Sequence, residues 1–294
     1  MGWTHLRELS SSIDPEALRR ALDWARERYQ TCDVCATDCG VNRHAGELGH
    51  CGLGVQGRVY KEYLHLGEER TLLPSHAVYL SGCNLRCVFC SDWDAVIHPD
   101  RHGALLSPEA LAERISVRRA EGARNVNFVG GLPDVNVLYI LETLAHCPED
   151  THVVWNTNLW TTPEAIERLT GVVGTWLVDL KFGANECARR LAGVDDYTER
   201  LHGLLPRAAQ TGALLVRHLL MPGHLECCTR PSLEWLRANT PEATINLMTG
   251  YHPFALKGSK GPMSGPLATE ELKQSLEAFD SIGFSNAMID GQLV

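Results

Sequence analysis

Seven of the chain's 11 cysteines fall within the first 90 residues, in two groups. The second group is Cys83-Asn-Leu-Arg-Cys87-Val-Phe-Cys90, with spacing C-x3-C-x2-C. Thiols this close can converge on one face of a loop, and soft sulfur ligands suit an iron–sulfur cluster or zinc. A structural zinc takes four protein ligands, whereas a four-iron cluster held by three cysteines leaves one iron open to a small molecule. On spacing alone, a zinc site completed by a distant histidine and three free thiols are the alternatives. The first group, Cys32, Cys35, Cys39 and Cys51, reads C-x2-C-x3-C-x11-C, with His44 and His50 as possible substitutes. Four sulfurs either fill a tetrahedral zinc site or saturate a four-iron cluster, and the spacing leaves both open.

The remaining composition narrows the class. The chain has 294 residues, with 27 Lys+Arg against 36 Asp+Glu and a net charge of −9. That balance argues against a broad electrostatic grip on nucleic acid but leaves room for a small acid-bearing ligand held by placed cations. No apolar run approaches the roughly 20 residues needed to span a bilayer. The start, Met1-Gly2-Trp3-Thr4-His5, lacks the basic and apolar regions of an export leader, so a cytoplasmic enzyme with no membrane partner is expected. In that setting thiols bind metal more often than they form disulfides.

These groups need elements to position them. Pro15–Tyr29 reads as an amphipathic helix with Asp14 as N-cap. Residues 31–54 are dense in Cys and Gly and would fold around a metal. From residue 76, apolar runs alternate with helical stretches. The runs are Ala77–Ser81, Asn125–Val129, His152–Asn156, Trp176–Leu180, Ala213–Leu219 and Thr244–Met248. The helices are Ser107–Glu121, Val135–His146, Pro163–Leu169, Asn185–Leu191, Tyr197–Gln210, Arg230–Asn239 and Thr269–Ile282. Such alternation means parallel strands with helices outside. Six strands are too few for a closed eight-stranded barrel. The expected fold is therefore α/β: a partial (β/α)6 barrel over residues 76–294, preceded by a helix and Cys-rich metal-binding cap over residues 1–75. Lys257–Pro266 is a candidate mobile loop.

In parallel α/β folds ligands bind at the carboxyl ends of the strands. The three-Cys loop follows the first run, Gly130-Gly131 the second, Asn156-Thr157 closes the third, and Asp179 and Lys181 close the fourth. Arg217 lies late in the fifth run and His252 beyond the sixth, so all share one rim. Gly130-Gly131 permits close backbone approach. Asp179 and Lys181 alternate on a strand and face the same way. Arg217 inside an apolar strand needs an anionic partner, for which a ligand carboxylate is expected. His224 and Glu226, after Pro222-Gly223, are substrate-side candidates, and the vicinal Cys227-Cys228 read as structural thiols.

Ser81-Gly82-Cys83-Asn-Leu-Arg-Cys87-Val-Phe-Cys90 resembles the signature loop of radical S-adenosylmethionine (SAM) enzymes. The surroundings are similar to one branch, the pyruvate formate-lyase activating enzyme-like proteins with extra cysteines ahead of that loop. The likeness is carried by Cys39-Gly-Val-Asn-Arg43, Gly46–Cys51, Asn125–Gly131, Asp179-Leu-Lys181, Asn185–Ala188 and Arg217–Cys228, and runs from about Cys32 to Tyr251. It implies a [4Fe-4S] cluster on Cys83, Cys87 and Cys90, with SAM on the open iron. It also implies that Gly130 and Gly131 approach the SAM amino group and that Lys181 pairs with its carboxylate. Asp179 would help order the site through a monovalent cation with Asn156 or Thr157, and His252 would contact SAM. The branch usually carries Gly-Gly-Glu-Pro; here Leu132 replaces the acid.

The resemblance implies a reductant such as flavodoxin or ferredoxin. It also implies a 5′-deoxyadenosyl radical that takes a hydrogen atom from a peptide, protein or small molecule. Two alternatives stand beside this: an activase that installs a glycyl radical on a partner enzyme, and a non-catalytic zinc-binding scaffold. The extra N-terminal cysteines favour a peptide or small-molecule substrate slightly over the activase.

Overall fold

The computed structural model describes residues 12–256 and 259–294. The leader reading at residues 1–5, and Lys257-Gly258 of the candidate loop, lie outside the described residues.

The chain forms one nine-stranded sheet whose spatial order follows the sequence. The strands are β1 Val59–His65, β2 Ser75–Leu80, β3 Asn125–Val129, β4 Val153–Thr157, β5 Thr175–Asp179, β6 Ala213–Leu219, β7 Thr244–Met248, β8 Ala287–Ile289 and β9 Gln292–Leu293. β2 to β8 run parallel, β1 and β9 pair antiparallel at the two edges, and the sheet does not close. This is the expected partial barrel. All six expected strands are present, with β8 added as a seventh parallel strand and β1 and β9 as edges.

β1 escaped the sequence pattern because Tyr60, Lys61, Glu62, Tyr63 and His65 give it no apolar run. An edge strand partly open to solvent does not need one. The boundary read at residue 75 falls at the first residue of β2, which pairs antiparallel with β1.

The helices start where their caps predict. Asp14 accepts from Glu16 and Ala17 N–H at the head of α1 (Pro15–Arg28). Ser107 caps α3 (Pro108–Ala120) and Thr162 caps α5 (Pro163–Arg168), each with proline in the first turn. The others are α2 (Trp93–Ile97), α4 (Val137–Leu144), α6 (Asn185–Ala192), α7 (Tyr197–Thr211), α8 (Arg230–Asn239) and α9 (Thr269–Ile282).

Strand alternation sorts side chains into two layers. Trp155, Trp176, Val178 and Val216 face the helices in the main core. Leu72, Val154, Leu177 and Leu215 form a separate apolar plug inside the barrel. Two residues further along β4, β5 and β6, the same inner face carries Asn156, Asp179 and Arg217. The apolar plug therefore forms a floor, and the polar layer above it opens toward the strand carboxyl ends.

Candidate active site

The three-Cys loop leaves β2 at the rim. Cys83 and Cys87 are buried and Cys90 is half-buried. Burial raises all three thiols, Cys87 to about 12, and the ammonium of Lys181 offsets part of that at each. Phe89 stacks edge-on to Phe182 at 6.1 Å and tilts on Tyr251 at 6.5 Å, closing one side. Asn158 donates to Asn84 Oδ1 at 3.0 Å, and Asn84 donates to Trp160 O at 2.7 Å, tying the loop to the end of β4.

Lys181 Nζ donates to Asp179 Oδ2 at 2.9 Å, and its backbone N–H donates to the buried Tyr197 hydroxyl at 2.9 Å. The neighbouring Asp179 and Cys87 raise the Lys181 pKa despite burial, so it stays charged. Asp179 and Lys181, expected to face the same way, pair with each other beside the cysteine loop.

Gly130 and Gly131 both have left-handed backbone, φ +65° and +44°. A Cβ on Gly131 would lie 2.3 Å from Leu80 O and 2.4 Å from Gly82 O, and one on Gly130 would strike Tyr79 and the Tyr60 hydroxyl. The glycines are required because this turn packs onto the root of the three-Cys loop. Leu132, in place of the usual acid, is buried in the core. The acid nearest in sequence, Asp134, is buried and accepts from Thr157 Oγ1 at 2.6 Å. Thr157 therefore turns away from the inner face that carries Asn156 and Asp179, and the structure separates it from them.

Anionic partners for Arg217 are supplied from within the chain. Its Nη2 donates to Glu68 Oε2 at 2.7 Å and Glu69 Oε2 at 2.6 Å. Burial of the guanidinium demanded a charge partner, and the stretch read as a connector supplied it. His252 is exposed at the mouth, with Nδ1 2.9 Å from Gly250 O. His224 and Glu226 are not brought together. His224 is buried beside Cys187 and Cys227, while Glu226 is exposed and paired with Arg230 at 3.0 Å. Residues not found from sequence are Lys61, Tyr63 and Tyr79 on the inner face of β1 and β2. Lys61 Nζ lies 4.8 Å and 4.7 Å from the two ring centres. Their signal was the missed strand itself.

The N-terminal cysteines surround Arg43. Its Nε donates to Cys32 Sγ at 3.1 Å and its Nη2 to Cys51 Sγ at 3.3 Å. A Cβ on Gly49 would lie 3.3 Å from both Cys39 Sγ and Cys51 Sγ. A Cβ on Gly82 would meet Cys51 O at 2.9 Å, and Arg86 of the three-Cys loop donates to His50 O. The two cysteine segments therefore pack directly on each other.

A family model described as the radical SAM superfamily matches residues 78–236. The chain belongs to the radical SAM superfamily. It is 36% identical over 273 residues to Uncharacterized protein MJ0674 of Methanocaldococcus jannaschii, covering 90% of this chain and 79% of that one. Its fold is similar to Streptococcus suis SuiB bound to precursor peptide SuiA (TM-score 0.51, 16% identity, 70% of this chain and 46% of that chain). It is likewise similar to SuiB bound to S-adenosylmethionine (TM-score 0.50, 15% identity, 71% and 48%). The chain thus spans about half of SuiB. Radical SAM membership makes this chain a SAM-binding iron–sulfur enzyme, with a [4Fe-4S] cluster, a reductant and a substrate implied. Among the described residues no helix is long and apolar enough to cross a membrane.

Proposed function

We propose that this radical SAM enzyme removes a hydrogen atom from a peptide, protein or small-molecule substrate at the mouth of the partial barrel. The observation that carries the reading is the set of three thiols, Cys83, Cys87 and Cys90, beside the charged Lys181–Asp179 pair. The donor set fits a four-iron cluster with one iron left for SAM: three sulfurs, a shielding aromatic shell and a cation to offset thiolate charge. Held by these residues, a reduced cluster with SAM would supply the hydrogen-abstracting chemistry of a 5′-deoxyadenosyl radical.

The chain's own residues bind, orient and exclude water. Lys181 presents its ammonium to the SAM carboxylate, and Asp179 holds that ammonium in place. Gly130 and Gly131 expose backbone at the turn where the SAM amino group would lie. Asn156 faces the interior below Asp179, and His252 stands at the open side. Phe89, Phe182 and Tyr251 keep water from the cysteine loop.

A second metal on Cys32, Cys35, Cys39 and Cys51 is part of the same proposal. Its support is Arg43, 1% exposed, whose hydrogen bonds go to two sulfurs and to the carbonyls of Val135 and Gly54. A buried guanidinium requires anions, and metal-bound thiolates provide them. Zinc and an auxiliary cluster both meet that need.

The test uses protein purified and reconstituted without oxygen. Iron, sulfide and zinc are quantified, and 5′-deoxyadenosine is measured after adding dithionite and SAM. Cleavage that disappears when Cys83, Cys87 and Cys90 are all changed to Ala supports the reading. About eight irons per chain would mean two clusters, and about four with one zinc a structural N-terminal site. Protein that holds only zinc and never cleaves SAM ends the enzyme reading. Deuterium passing from a labelled small molecule into 5′-deoxyadenosine separates this reaction from glycyl-radical activation of a partner.

A further inference from the structure

One group of metal-ligating side chains belongs neither to the three-Cys loop nor to the N-terminal cysteines. One ligand atom each from Cys187, His224 and Cys227 lies within 4.8 Å of the other two. Cys187 is in the first turn of α6, just beyond β5. His224 precedes, and Cys227 lies within, a π turn Leu225–Thr229 that joins β6 to α8. The cluster therefore sits on the strand-carboxyl side, between two neighbouring loops. Cys187 and His224 are each 4% exposed.

The spacing matches a metal site. The two sulfurs are 3.5 Å apart. Around a tetrahedral zinc with Zn–S near 2.3 Å, sulfurs stand about 3.8 Å apart, so only a small adjustment is needed. A disulfide would require closure to about 2.05 Å.

The imidazole is also set for ligation. His224 Nδ1 lies 2.8 Å from Pro222 O. A carbonyl only accepts, so Nδ1 carries the proton and Nε2 keeps its lone pair. A backbone carbonyl holding the far nitrogen is the usual outer support of a metal-binding histidine. Nε2 now accepts from Arg190 Nη2 at 3.1 Å, and Arg190 is exposed and free to swing away. Two thiolates and a neutral imidazole balance a doubly charged cation.

The backbone holds these groups in register without a metal. The wide turn is closed by Cys228 and Thr229 N–H, both donating to His224 O, at 3.0 and 3.1 Å. Gly183, ahead of α6, packs so tightly that a Cβ there would lie 2.4 Å from Cys228 O. The two loops are thus pinned together at the backbone. π turns of this kind recur where a ligand must be met.

We propose that Cys187, His224 and Cys227 form a mononuclear site for a zinc-class divalent cation, separate from both other cysteine groups. The ion staples the loop after β5, which follows Asp179 and Lys181, to the turn after β6. Three protein ligands leave a fourth position open.

The test is a Co²⁺ titration of iron-loaded, full-length protein without oxygen, in the visible region where tetrahedral cobalt–thiolate bands stand clear of the strongest cluster absorption. About one equivalent per chain should bind with tetrahedral bands and be displaced by Zn²⁺. His224→Ala and Cys187→Ser should weaken binding at least about tenfold with iron content kept, while Glu226→Gln leaves it unchanged. Should those variants lose their iron through misfolding, zinc-edge X-ray absorption of the wild-type protein decides. In zinc-saturated protein, a histidine nitrogen in the shell supports the site whether or not the N-terminal cysteines also hold zinc, and a shell of sulfur alone overturns it. Absence of tetrahedral cobalt in the wild type, or binding unchanged in folded His224→Ala and Cys187→Ser, also overturns it. So does a Cys187–Cys227 disulfide in protein that binds no zinc once reduced.

Discussion

Arg217 and Glu69 form a two-bond ion pair across the barrel interior, Nε to Oε1 at 2.5 Å and Nη2 to Oε2 at 2.6 Å. Glu69 is 3% exposed and also accepts from Asn246 Nδ2 at 2.7 Å. The pair ties β6 and β7 to the segment between β1 and β2 and so helps fix an open sheet. Removing Arg217 strands the buried Glu69 carboxylate, whereas removing Glu69 leaves Arg217 its second partner, Glu68. Arg217→Met should cost about 3–5 kcal/mol in a denaturant titration, and adding Glu69→Gln should recover much of it. An Arg217→Met protein as stable as the parent would show that the pair is dispensable.

Lys181→Met removes the cation beside the cysteine loop while keeping the stem. A lost charge-assisted bond is worth about 1.5–3 kcal/mol, so SAM binding should weaken roughly tenfold to 150-fold. Iron content should stay at the parent level. Unchanged SAM affinity, measured by equilibrium binding, would remove Lys181 from the SAM site.

Gly131→Ala faces both a positive φ and a carbonyl 2.3 Å from its new Cβ. The turn must shift against Leu80 and Gly82, at a cost of about 2 kcal/mol or more. The same shift should loosen the three-Cys loop. Thermal unfolding and iron retention after gel filtration should therefore fall together, whereas Gly122→Ala, with open space around it, should leave iron retention unchanged.

His218 is fully buried between Leu180 O at 2.8 Å and Thr229 Oγ1 at 3.1 Å. Burial depresses its pKa from the usual 6.5 to about 4. The folded state therefore holds it neutral while the unfolded chain takes up a proton near 6.5. The associated stability is complete above pH 6.5, declines as pH falls below that value and stops declining near pH 4. The whole contribution is on the order of 3 kcal/mol. In His218→Gln the slope of unfolding free energy between pH 6.5 and 5 should drop by about one proton's worth. His152, also depressed to about 4, leaves a residual slope. Equal slopes in parent and variant would contradict the assignment.

Arg43→Leu leaves the N-terminal sulfurs without their buried cation. The metal content assigned to Cys32, Cys35, Cys39 and Cys51 should fall, with the iron on the three-Cys loop retained in the same preparation. Full retention at the N-terminal site would mean that Arg43 balances something other than thiolate.

Local information in the chain was enough for the parts that depend on neighbours in sequence. The C-x3-C-x2-C spacing brings three sulfurs into one loop whatever surrounds it. Ser107-Pro108 and Thr162-Pro163 start helices because the cap and the proline act within a single turn. The six apolar runs became strands because each is buried on both faces by the helices and the barrel floor. Asp179 and Lys181 face together because a strand alternates.

What depended on distant pairing was decided only by the tertiary structure. β1 is polar, and only its register against β2 makes it a strand and aims Lys61, Tyr63 and Tyr79 inward. Arg217 demanded an anion, but its identity as Glu69 rests on a pairing 148 residues apart in sequence. Thr157 turned from the expected cation site to Asp134 because alternation places it opposite Asn156. Cys187 follows β5 whereas His224 and Cys227 follow β6, and the two loops meet only when β5 and β6 lie side by side. Sequence spacing determines which groups share a turn or a face. Which of those faces meet follows from how the sheet is ordered and packed, because that alone sets distances between residues far apart in the chain.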